Sequence, residues 1–217
     1  MKRLVSLILI LSTFIFSCST DNLDKYVELC GCEVTEHFST STDQEENSTK
    51  EFTFTGSPLF DYGIKKYGFA LNMALLINQE RNIDSLTLLR ITIDKGNSKV
   101  KSYEYDYYEL NRLKPRYEAI HKIAESFVEN IYSGDFNANK RYLGFIIEDS
   151  EYNEIMTSIK NDLESDYLET KMMSFEKGKG QVYNIFGAVR TKDETLDLFK
   201  MQLIKEEEDY KITEFTF

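Results

Sequence analysis

Apolar and polar positions follow three different patterns along this chain, and the changes of pattern divide it. Behind Lys2 and Arg3, residues 4–16 are mainly apolar without any period, and Ser17 and Cys18 follow. A run of 13 residues is short of the roughly 20 needed to cross a bilayer. A basic start, a short apolar centre and a small residue at the end is the order of a secretory signal that is removed. Asp21 to Glu33 is a candidate start of the folded body, whereas residues 39–50 hold six Ser or Thr and three acids with no aliphatic or aromatic residue, which reads as a solvated loop. Glu51 to Thr55 then alternates Phe52 and Phe54 with polar neighbours, the signature of a half-buried strand. Ser57 and Pro58 form a helix-start signal. Phe60, Ile64, Tyr67, Gly68, Leu71, Ala74, Leu75 and Asn78 recur at three- and four-residue spacing, predicting a helix of about 20 residues. Leu86 to Ile93 is an apolar strand, Gly96-Asn97 a turn, and Val100 to Tyr107 a second strand.

The pattern breaks at residues 111–114, and Pro115 stands where a new helix would begin. Tyr117, Ile120, Ala124, Phe127, Val128 and Ile131 make the clearest amphipathic stripe of the chain, stopped by Ser133-Gly134-Asp135. Asn137 to Leu143 reads as one or two helical turns, Phe145 to Ile147 as a short strand, and Tyr152, Ile155, Met156, Ile159 and Leu163 as a further helix. From Leu168 onward the period is two. Strands at 171–176, 181–190, 196–205 and 210–217 are separated by turns at 177–180, 191–194 and 206–209. The predicted class is α+β. A signal peptide (1–17) and an N-terminal segment with polar linker (18–50) precede a strand-helix-hairpin unit (51–110). A unit of helices plus an antiparallel meander (111–217) completes the chain.

Two resemblances sharpen this reading. Ile15-Phe16-Ser17-Cys18 resembles the lipobox of bacterial lipoproteins, which implies that Cys18 becomes the acylated first residue and that the chain stays on a membrane through its lipid. Ser19 after the cysteine implies sorting to the outer membrane. Asp21 and Asp24 resemble the acidic signal by which some bacteria export lipoproteins to the cell surface, and the periplasmic and outer faces both stay open. The second resemblance rests on element order. Phe127 to Tyr142, read as helix, Ser-Gly-Asp turn and short helix ahead of a four-strand meander, is similar to the NTF2-like (cystatin-like) fold. That fold implies a cone between sheet and helices, with Tyr183, Phe186, Phe199 and Met201 as candidate lining residues for a small apolar ligand.

Charge narrows the partners. The chain carries 37 acidic and 26 basic residues, net −11, and loss of residues 1–17 removes two basic residues and no acid, giving −13. An acidic surface disfavours nucleic acid and anionic membrane surfaces. Apart from Cys18 the thiols are Cys30 and Cys32, with Gly31 between them and His37 five residues on. A local disulfide, free thiols, a redox pair or part of a metal set are all compatible with that spacing.

Other groups with chemical potential are few. Glu118, His121 and Glu125 fall on one helical face, a geometry open to proton transfer and equally to a solvated charged surface. Tyr103, Tyr105, Tyr107 and Tyr108, with Glu104, Asp106 and Glu109 among them, read either as a surface that stacks on sugars or peptides or as plain alternation along one strand, half of the tyrosines covering the helix and half meeting solvent. Asp84-Ser85-Leu86 matches, on three residues, the Asp-Ser/Thr-aliphatic triplet that some bacteria O-glycosylate outside the cytoplasm. No nucleophile elbow, phosphate loop or H-E-x-x-H pair occurs. The expectation is a membrane-tethered envelope lipoprotein, non-enzymatic, binding a protein partner or small apolar ligand, with no cofactor, metal or catalytic set. An enzyme working in the cone and an immunity or inhibitor lipoprotein are the alternatives.

Overall fold

The computed structural model describes residues 23–40, 48–81, 83–96, 100–163 and 165–217. The expected signal, the lipobox, Cys18 and most of the polar stretch at 39–50 lie outside them. The chain is a mixed α+β protein with two open four-stranded sheets.

Two elements precede the first expected strand. Helix α1 (Asp24–Cys30) ends at Gly31, whose φ of 57° is the left-handed conformation that glycine tolerates best. Strand β1 (Glu33–Thr40) pairs antiparallel with β2 (Ser48–Thr55) along its whole length. The described part of the expected 18–50 linker is therefore helix and sheet edge. The strand escapes sequence reading because of its eight residues only Val34 is buried, as suits an edge that must not invite further pairing. β2 pairs parallel with β3 (Thr87–Asp94), and β3 pairs antiparallel with β4 (Lys101–Tyr105), giving the order β1-β2-β3-β4.

The β2–β3 crossover contains the expected helix, in two pieces. Ser57 caps a 3-10 turn at Pro58–Tyr62, accepting from the Leu59 N–H at 3.4 Å and donating to the Cys30 carbonyl at 2.8 Å. Gly63, with φ 86°, breaks the path before α2 (Lys66–Arg81) begins. All residues from Gly68 to Leu75 are buried, so this helix has no solvent face across its middle. It lies between the two sheets, packing on β3 and on β5 (Tyr167–Lys177). A helix covered on all sides shows no stripe, and Phe69, Ala70, Met73 and Ile77, which lie off the expected stripe, are as buried as the residues on it. Tyr67, placed on the stripe by spacing, is 47% exposed. The buried apolar side chains of both halves form one continuous core.

Helix α3 (Tyr107–Ser133) starts eight residues before Pro115, not at it. Asp106 caps it, accepting from the Glu109 N–H at 2.7 Å, and Leu110 and Leu113 extend the Tyr117–Ile131 stripe backwards. Pro115 is exposed, and Asn111, whose carbonyl loses its partner there, is only half-buried. Tyr107 and Tyr108 are consequently helical, and the single tyrosine-rich strand does not form. Gly134 (φ 82°) closes α3, and Asp135 caps α4 (Phe136–Asn139), which runs into a 3-10 turn at Lys140–Tyr142. The expected strand at 145–147 is absent: Leu143 makes a lone parallel bridge to Ile212, and Gly144 N–H donates to the Ile212 carbonyl at 2.9 Å. Helix α5 (Asp149–Asp162) follows.

The second sheet is the expected antiparallel meander, β5, β6 (Val182–Thr191), β7 (Leu196–Glu206) and β8 (Asp209–Thr216) in sequential order. β5 shifts register against β6 between Met172 and Ser174, so Met172, Met173, Ser174 and Phe175 are all buried. One face of the sheet packs on α3 through aromatic contacts. Tyr117 and Phe175 lie 5.5 Å apart, Phe175 and Tyr183 5.8 Å, and Phe127 and Phe215 5.0 Å.

Candidate binding groove

Strand register assembles the groove. On the face of the second sheet turned away from α3, two rows of side chains cross all four strands: Ser174, Phe186, Lys200 and Thr216 in one, Glu176, Asn184, Gln202 and Glu214 in the other. Gly63, Ile64 and Lys65, the link between the 3-10 turn and α2, border these rows, and between them lies a half-open hollow of about 290 Å³. A second hollow of about 240 Å³ adjoins it, sharing Phe186, Lys200 and Thr216 and lined further by Tyr62, Leu198, Phe199 and Phe217. Together they form a groove with one polar end and one aromatic end.

Polar groups at the first end hold one another in place. The Gln202 Nε2 donates to Asn184 Oδ1 at 3.0 Å, and the Thr213 hydroxyl donates to Gln202 Oε1 at 3.2 Å. Lys65 pairs with Glu176 at 3.0 Å. Its side chain is largely exposed, so the pair contributes at most about 1 kcal/mol and serves mainly to orient Glu176. Lys200 Nζ lies 5.6 Å from the Phe186 ring centroid, a cation–π contact at the junction of the two ends. Ordered amides, both signs of charge and aromatic surface suit a ligand that is polar along its backbone and apolar at intervals.

Three of the four predicted lining residues, Phe186, Phe199 and Met201, border the two hollows, and Tyr183 does not. Strand alternation puts Tyr183, Phe199 and Met201 on the face turned to α3 and Phe186 on the opposite one. Tyr183 packs between Phe175 and Tyr210, and Phe199 between Phe215 and Phe217. The inner face, where a cone was expected, is occupied here by side chains. Phe186 borders both hollows, Met201 the first and Phe199 the second, while Tyr183 borders neither. The lining residues that sequence reading missed, Glu176, Asn184, Lys200, Gln202 and Glu214, are each an ordinary outward-facing polar residue. Only the register shows that they share two rows.

The remaining candidates are separate. Cys30 and Cys32 are joined by a disulfide and buried beside Ser57, and His37 is exposed on β1. Glu28 of α1 ties this region to the second sheet through Lys171 at 3.6 Å and Arg190 at 3.5 Å. Among the described residues no group of three or more His, Cys, Asp or Glu is placed to hold a metal. His121 stacks on Tyr117 at 6.2 Å, and burial lowers its pKa, with the nearby Glu125 charge acting in the opposite direction. Glu118 accepts from Gln79 at 3.1 Å. Tyr103 packs edge-on against Tyr67 at 6.0 Å, Tyr105 is buried, and Tyr108 is exposed near the start of α3.

No protein-family model matches the chain, and no curated protein matches it. Among solved structures it is similar to an NTF2-like transpeptidase from Campylobacter jejuni, at 14% identity and a TM-score of 0.35 over 43% of this chain and 95% of that one. It is also similar to a SEC-C motif containing protein from Rhodopseudomonas palustris, at 17% identity and a TM-score of 0.32 over 43% of this chain and 74% of that one. At such scores these likenesses transfer no activity to this chain.

Proposed function

We propose that the chain is a membrane-tethered envelope lipoprotein, anchored through Cys18, whose second half is an NTF2-like unit used as a non-enzymatic binding module. Its binding surface is the groove on the outer face of the second sheet, and its ligand is an extended peptide segment of a protein partner. The observation that carries the reading is the pair of cross-strand rows bordered by Gly63-Ile64-Lys65. They offer amides and charges of both signs beside an aromatic end, and an extended peptide presents the same alternation of polar backbone and side-chain anchors. The order of long helix, short helix, helix and four-strand meander supports the NTF2-like assignment. The basic start, the 13-residue apolar run and Cys18 support the tether.

The test is native mass spectrometry on protein extracted gently from its host, beside the Phe186→Glu and Cys18→Ser variants. The expected result is a polypeptide adduct present with the parent chain and lost with Phe186→Glu, and release of the Cys18→Ser chain from membranes. A small-molecule adduct in the groove would replace the peptide reading, and an adduct indifferent to Phe186→Glu would remove the groove. Unchanged membrane attachment of Cys18→Ser would refute the tether.

A further inference from the structure

We propose that Ser85 is an O-glycosylation site, and that the first sugars attached there lie in the hollow between its turn and the start of α3. The inference rests on the envelope reading above, since it needs exposure to an extracytoplasmic transferase, but it concerns a different surface. Asp84 to Thr87 is a tight turn closed by the Thr87 N–H donating to the Asp84 carbonyl at 3.2 Å. The Asp84 carboxylate accepts from the Leu86 N–H at 2.9 Å and from the Thr87 hydroxyl at 2.8 Å. These bonds fix the Asp-Ser-aliphatic triplet in one conformation and leave Ser85 exposed at its tip, with the Leu86 side chain 57% exposed beside it. The triplet is therefore presented on an accessible, hydrogen-bonded surface turn.

The second observation is what stands next to it. A hollow of about 660 Å³ is bordered by Asp84, Ser85, Tyr107, Tyr108, Asn111 and Lys114. Tyr107 and Tyr108 meet edge to face with ring centroids 5.4 Å apart, and Tyr108 is 71% exposed. Aromatic faces with amide and ammonium donors around them are the surface on which sugar rings stack and hydrogen-bond. In the transfer the Ser85 Oγ attacks the anomeric carbon of a diphosphate-activated sugar, the bond from that carbon to the diphosphate oxygen breaks, and the hydroxyl proton passes to the transferase base. The diphosphate carrier leaves and no redox change occurs.

The experiment is mass spectrometry of the full chain purified from the membranes of its host, intact and after trypsin, which releases residues 82–90 as one peptide. The expected result is sugar-sized additions on that peptide, lost completely in Ser85→Ala and Asp84→Asn and retained in Ser85→Thr. An unmodified 82–90 peptide overturns the proposal. If the same sample carries lipid on Cys18, the envelope reading survives that result, and if it does not, both fail. Amide exchange across residues 107–114 should be slower in the glycosylated chain than in Ser85→Ala, and equal rates would overturn placement of the sugars in the hollow.

Discussion

Replacing Gly68 with alanine sets two effects of known size against each other at the seam between the two sheets. Alanine is more favourable than glycine in a helix by at most about 1 kcal/mol, and Gly68, in the first turn of α2, is buried. A methyl group there would stand 2.8 Å from Glu176 Oε1 and closer still to Ser174 Oγ and Glu176 Cγ on β5. Real side chains do not approach so closely, so the Ser174 and Glu176 side chains, or the backbones that carry them, must shift, at a cost of about 1–3 kcal/mol for an overpacked core. The difference is a net loss of about 1 kcal/mol, or about 2–4 °C in Tm for a chain of this size. Urea unfolding of Gly68→Ala, Ser174→Ala and the double variant measures it. Removing Ser174 Oγ takes away one of the colliding atoms, so the double variant should recover at least about 0.5 kcal/mol relative to additivity. Gly68→Ala more stable than the parent by the full propensity difference would refute the close approach of α2 to β5. Because Glu176 also borders the groove and pairs with Lys65, the same variant should weaken peptide binding.

Three further outcomes follow from the geometry. Burial lowers the His121 pKa below its ordinary 6.5, so the unfolded chain binds more protons than the folded one as pH falls below about 6.5. Stability should drop from pH 7 downward through that window, and His121→Gln should flatten the dependence in denaturant titrations; an unchanged slope would contradict the burial of the imidazole. Phe127 is fully buried and packs on Phe215, so Phe127→Ala should cost about 3–5 kcal/mol in thermal or urea unfolding. The Cys30–Cys32 disulfide closes a ring with one intervening residue, for which chain entropy gives only about 1.6 kcal/mol. Mild reduction should therefore lower the unfolding midpoint modestly and leave far-UV circular dichroism unchanged.

What the sequence determined by itself is what local periodicity and turn chemistry specify. The alternation from Leu168 onward, with turns near 177–180, 191–194 and 206–209, matches the four-strand meander, because each hairpin is built from neighbours in the chain. The Tyr117–Ile131 stripe and its Gly134 stop match the second part of α3, because a helix with one buried face repeats at the helical period. The tertiary structure decided the rest. β1 is legible only as the partner of β2, since an exposed edge strand carries almost no hydrophobic signal. Helix α2 loses its stripe because sheets cover it on opposite sides, and Pro115 sits inside α3 because the Asp106 cap and the stripe through Leu110 and Leu113 continue across it. The groove is the clearest case. Glu176, Asn184, Gln202 and Glu214 are widely separated polar residues in the sequence, and the hydrogen-bond register of four strands makes them one row. The same alternation divides Phe186 from Tyr183, Phe199 and Met201, because in a strand an odd spacing changes the face on which a side chain stands.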